Sequence, residues 1–136
     1  MAPARSITRI VAVVVVLSTA MLVGVTSAPA RTRCTVNGTS GDDRLIDTGG
    51  ANVICARAGD DLVEAGPGAD LVLGGKGSDR LEGNDGNDVV KGGRGGDTIM
   101  VTDGGRDRAI GGAGVDTCFV DRGDKARGCE TKTVVG

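Results

Sequence analysis

Strong aliphatic residues recur along this chain at one fixed interval: Leu45, Ile54, Val63, Val72, Leu81, Val90 and Ile99 stand nine residues apart. A helix needs apolar positions every three or four residues to bury a stripe, so the interval excludes an amphipathic helix. Short strands separated by tight turns fit it. Written from Gly38 in blocks of nine, the chain has glycine at the fourth place: Gly41, Gly50, Gly59, Gly68, Gly77, Gly86, Gly95 and, after one inserted residue near Val101, Gly105 and Gly114. The sixth place holds Asp43, Asn52, Asp61, Asp70, Asp79, Asp88, Asp97, Asp107 and Asp116, and the aliphatic eighth place ends in Ala109 and Cys118. A disordered Gly-rich linker has no reason to keep three residue classes in phase over nine blocks, so the pattern predicts a repeat architecture.

Composition sharpens this picture. Phe119 is the one aromatic residue of the 136, and 25 residues are glycine, so an ordinary globular core cannot be assembled. Such a chain must be disordered, stapled by disulfides or held by metal. Ahead of the repeats, Arg5 and Arg9 precede an apolar stretch from Ile10 to about Val25 and the small-residue site Ala28-Pro29-Ala30. This order predicts a secretory signal peptide over residues 1–30, cleaved before Arg31. The densely apolar core of the stretch is short for a membrane anchor. Removing residues 1–30 takes the formal charge from −2 to −4, which disfavours nucleic acid as a partner.

Four cysteines in an exported chain favour two disulfides. Cys34 with Cys55 and Cys118 with Cys129 close the shortest loops and would clamp the two ends, although three connectivities are open from sequence alone. Zinc is disfavoured, because the chain has no histidine and no Cys-x-x-Cys.

Segments such as Gly74-Gly75-Lys76-Gly77-Ser78-Asp79-Arg80-Leu81-Glu82 resemble the hemolysin-type calcium-binding repeat of the RTX family, over residues 38–119. The resemblance implies an all-β, right-handed parallel β-roll of about nine nine-residue half-coils with calcium in the turns. Six residues of each block would turn and three extend, and two blocks would complete a coil. Glycines in such turns permit positive φ and bring backbone carbonyls close to a cation. The implied carbonyl donors lie around Gly59, Gly66, Gly68, Gly75, Gly77, Gly86, Gly93 and Gly95. The implied carboxylates are Asp43, Asp61, Asp79, Asp97 and Asp116 on one edge, and Asp70, Asp88 and Asp107, with Asn52, on the other. Asx-turns would explain any single aspartate without metal. Two stacked columns, about 4.7–4.9 Å from strand to strand, would repel without a cation between them. Calcium takes six to eight oxygens and suits such a cage better than magnesium, which keeps its waters. The expected load is roughly five calcium ions, best formed at Asp61/Asp79, Asp79/Asp97 and Asp70/Asp88, with sites spanning the insertion distorted.

With one inward aliphatic per block, metal has to supply folding energy, so the chain is expected to order on calcium binding outside the cell. Residues 31–37 and 120–136 read as an N-terminal cap and a C-terminal cap with tail. Sorting the outward positions leaves Leu71, Leu73 and Val89 as an apolar patch that could take a second copy or an envelope partner. An enzyme is not expected: histidine is absent, and the serines after residue 30 are Ser40 and Ser78, inside repeat turns. No apolar stretch after the signal peptide could span a membrane, so the expectation is a secreted, extracellular calcium-binding protein.

Overall fold

The computed structural model describes Arg9–Ile10 and residues 32–136. All regular structure among these is strand: β1 (Arg9–Ile10), β2 (Val36–Asn37), β3 (Asp43–Ile46), β4 (Val53–Ala58), β5 (Leu62–Glu64), β6 (Leu71–Lys76), β7 (Arg80–Glu82), β8 (Val89–Arg94), β9 (Thr98–Val101), β10 (Arg108–Ala113), β11 (Thr117–Asp121), β12 (Lys125–Arg127) and β13 (Thr131–Val135). Apart from Arg9–Ile10, which pairs with Asp43 and Arg44, the expected signal peptide lies outside the described residues.

The strands alternate between two parallel sheets. One runs β1-β3-β5-β7-β9-β11-β13 and the other β12-β10-β8-β6-β4-β2, so each coil contributes one strand to each sheet. The register advances by eighteen residues per coil through the middle of the stack: Leu45 pairs with Val63, Val63 with Leu81 and Leu81 with Ile99. This is the parallel β-roll that the resemblance implies, and a half-coil of nine residues puts every second block on the same sheet. The stack reaches about six coils, more than nine half-coils make. The surplus comes from β2, β12 and β13, whose residues pair in parallel register with the neighbouring strand without the Gly/Asp marks of the repeat.

The core is a narrow seam between the sheets. Leu45, Ile54, Val63, Val72, Leu81, Val90 and Ile99 are all buried, as the eighth-place column requires. A second inward column was not foreseen: Ala56, Ala65, Val101 and Val120 are also fully buried. Side chains alternate along a strand, so the position two after the eighth faces inward again, and that position opens the next block. Val101 therefore belongs to the core, and the extra residue is absorbed in the turn Thr102–Gly104. The second sheet's β4, β6, β8 and β10 run to six residues, longer than the three expected, because the start of each following turn stays in register with its neighbour: Gly75 pairs with Gly93, and Lys76 with Arg94.

Both ends are stapled as the shortest-loop pairing has it. Cys34 is bonded to Cys55 and Cys118 to Cys129, with Cα separations of 5.8 and 5.9 Å. Cys118 occupies the inward column beneath the last repeat, so the second staple reaches into the core.

Candidate metal centre

Each turn delivers its sixth-place aspartate to the inside of an edge of the roll. Asp43, Asp61, Asp79, Asp97 and Asp116 form one column, Asp70, Asp88 and Asp107 the other, and none is more than 5% exposed. Within a column every carboxylate after Asp43 is fixed in the same way. Oδ1 of Asp79 accepts the backbone N–H of Asp61 at 2.9 Å, and Oδ1 of Asp97 accepts that of Asp79 at 2.9 Å. On the other edge Asp88 accepts from Asp70 at 2.8 Å and Asp70 from Asn52 at 2.7 Å. The ladder crosses the inserted residue without a break, since Asp107 accepts from Asp88 at 2.7 Å and Asp116 from Asp97 at 2.8 Å. The expected distortion there is therefore not found in the ladder, because the Thr102–Gly104 turn absorbs the extra residue outside the column.

The second oxygen is different. Oδ2 of Asp61, Asp70, Asp79, Asp88, Asp97, Asp107 and Asp116 is buried and has no hydrogen-bond partner among the described residues. An unpaired buried carboxylate oxygen costs on the order of several kcal/mol, so seven in two columns call for a proton, a water or a cation beside them. Burial is the main reason that six carboxyls of the columns titrate high: Asp88 is pushed up to about 7 and Asp79 and Asp107 to about 6, with Asp61, Asp70 and Asp97 also raised. The backbone N–H bond opposes the rise in each case, and neighbouring carboxylates add to it.

The two N-terminal turns close without such an orphan. Oδ2 of Asp43 accepts from the backbone and hydroxyl of Thr39, and the Asn52 amide donates to Asp47 and to the carbonyls of Gly49 and Gly50. Asp43 therefore stands apart from the other seven aspartates, a distinction that the repeat pattern does not carry.

Glycine builds the rest of each cage. Gly59, Gly66, Gly68, Gly75, Gly77, Gly86, Gly93 and Gly95 all have positive φ, as the turn reading requires. At Gly77, with φ of 118°, a Cβ would overlap the carbonyl of Gly59 one coil away. At Gly74 a Cβ would fill the space between Asp79 Oδ2 and the carbonyl of Gly92. A carboxylate oxygen and a carbonyl of the next coil thus converge where the chain has left out a side chain. Among the described residues no three Asp, Glu, Cys or His side chains meet at one point, so most oxygens of any cation shell here would come from the backbone or water.

The chain matches the family described as RTX calcium-binding nonapeptide repeat (4 copies) over residues 37–72, 64–99 and 96–124. It belongs to that family. No curated protein and no solved structure matches it. RTX repeats bind calcium, and the residues of this RTX roll fit that ion: hard oxygen donors, buried anionic charge and orphaned Oδ2 atoms beside glycines whose missing side chains leave room next to them.

Two acids that prolong the columns lie outside the sixth-place pattern. Asp107 donates its N–H to Asp124 Oδ1 at 2.9 Å, and Asp116 donates to Glu130 Oε2 at 2.6 Å. They escaped the period because their spacings, 17 and 14 residues, break it. On the outer face of the second sheet Leu71 and Val89 align in register, and they and Leu73 are half-buried.

Proposed function

We propose that this RTX roll is an exported protein that folds outside the cell by loading calcium into its two aspartate columns. The observation that carries the reading is the set of seven orphaned, buried Oδ2 atoms in register. Pairs of neighbours in which both members carry an orphan are Asp61/Asp79, Asp79/Asp97 and Asp97/Asp116 on one edge and Asp70/Asp88 and Asp88/Asp107 on the other, which supports a load of about five ions. In each, the carboxylates and the turn carbonyls around glycines such as Gly75, Gly77, Gly86 and Gly93 would hold the ion, and Asp43 would contribute least. Calcium would neutralise the columns and tie successive coils together.

Replacing Asp79, which belongs to two of these pairs, tests the assignment. Asp79→Asn keeps the shape and removes the charge, and it should weaken calcium binding by about 1.5–3 kcal/mol, about tenfold or more, in calorimetric titration. Unchanged affinity and stoichiometry would refute the assignment. Residues 1–30 act in this reading as the export signal, so the intact mass of the released protein should begin at Arg31. A mass that retains residues 1–30 would contradict export by cleavage.

A second role, adhesive or scaffolding, is supported by the aligned face of Leu71, Leu73 and Val89, which would meet an envelope partner or a second copy. If a Leu71→Asp, Leu73→Asp double variant sediments and binds envelopes as the wild type does, that role is lost.

A further inference from the structure

The end of the roll beyond the last repeat reproduces a repeat turn with half the residues. In the repeats, a cage is bounded by a first-place glycine, its own aspartate and the next coil: at Gly74 a Cβ would meet both Asp79 Oδ2 and the carbonyl of Gly92. At Gly111 a Cβ would meet both Asp116 Oδ2 and the carbonyl of Gly128. In the repeats, the N–H of Asp79 is taken by Asp97, and the carbonyl of Asp79 accepts from Thr98. At the end, the N–H of Asp116 is taken by Glu130, and its carbonyl accepts from Thr131 at 3.0 Å. Gly128-Cys129-Glu130 thus supplies in three residues what Gly92 to Asp97 supply in six.

The shortening is physically coherent. Gly128, with φ of 60°, turns the chain sharply, the extra methylene of glutamate makes up reach lost with the missing residues, and the Cys118–Cys129 bond pins the segment under the last coil. Asp116 Oδ2, on a residue with no exposed surface, is one of the orphans and points into this space. At the corresponding end of the other column both oxygens of Asp124 are taken by backbone N–H groups, of Asp107 and Asp121, so that end is closed by the chain itself. Among the described residues Glu130 accepts through Oε2 alone.

We propose that Asp116, the Gly128 carbonyl and Glu130 form a terminal calcium site outside the nonapeptide repeat, clasped by the Cys118–Cys129 disulfide. The inference rests on calcium binding by the repeats themselves. Its consequence is that the final strand, β13, is docked by metal and disulfide together.

The test counts bound calcium by equilibrium dialysis and metal analysis on the disulfide-intact chain, for wild type and Glu130→Gln, with circular dichroism to compare their folds. Glu130→Gln should keep the β spectrum and bind one ion fewer. Cys118→Ser with Cys129→Ser, which frees the segment without touching a carboxylate, should lose the same ion, and it serves as the deciding variant if Glu130→Gln misfolds. An unchanged count in these variants overturns the terminal site while leaving the repeat sites intact. A wild type that binds no calcium at all overturns the repeat reading and this inference with it.

Discussion

At the scale of the residue, the proposed role of the aspartate columns sets protons against calcium. Folded values of about 7 for Asp88 and about 6 for Asp79 and Asp107 lie above the ordinary 3.8, so the folded chain holds protons that the unfolded chain has already released. Stability from these groups is fully present below the unfolded value and is lost as pH rises from about 4 through about 7. A chelated chain should therefore show more β structure at pH 5 than at pH 8, read by far-UV circular dichroism. Calcium competes with the same protons, so its apparent affinity should rise over that interval and binding should release protons, seen as a buffer-dependent heat in calorimetry. A chelated chain whose β content grows with pH would contradict the burial of these carboxylates. Sixth-place aspartates were legible because one residue type returned in phase. The satisfaction of Asp43 by Thr39 was not legible, since threonine stands at the second place of two blocks, Thr39 and Thr48, and Thr39 alone of the two bonds to the sixth-place side chain among the described residues.

The element that repeats is a half-coil, and its strand carries most of the packing. Leu81 is fully buried in β7, between Val63 and Ile99 of the neighbouring coils. Leu81→Ala should cost about 2–5 kcal/mol in urea unfolding at saturating calcium, whereas Lys91→Ala on the exposed face of β8 should stay within about 0.5 kcal/mol. Equal effects would show that the seam is not the core. The ion pairs of the outer face, Arg44–Glu64 and Arg80–Glu82, are exposed and add little. The strand positions followed directly from the nine-residue period. Val101 and Val120 were missed as core because the period was anchored on one inward place per block, whereas strand alternation makes the first place of the next block inward too. Alanine and glycine fill that place in most repeats, and small residues give no hydrophobic signal. The terminal turn at Gly128-Cys129-Glu130 was missed for a related reason: its geometry repeats while its spacing does not.

At the scale of the molecule, the balance between chain entropy and burial decides what calcium is for. The seam buries one or two apolar side chains per half-coil, against roughly 1–2 kcal/mol of backbone entropy for each residue fixed. Two disulfides constrain the ends, and the middle coils are held by neighbour contacts along one dimension, so ordering should be cooperative along the stack. The columns place the missing stabilisation where each coil meets the next, and millimolar calcium outside cells would supply it. The most direct measurement is far-UV circular dichroism of residues 31–136, disulfides intact, at pH 7.5, titrated from excess chelator to about 10 mM calcium with magnesium as control. A largely coil spectrum in chelator and a cooperative passage to β with calcium alone are expected. A chain already fully β in chelator, or one that stays coil throughout, would contradict folding by calcium.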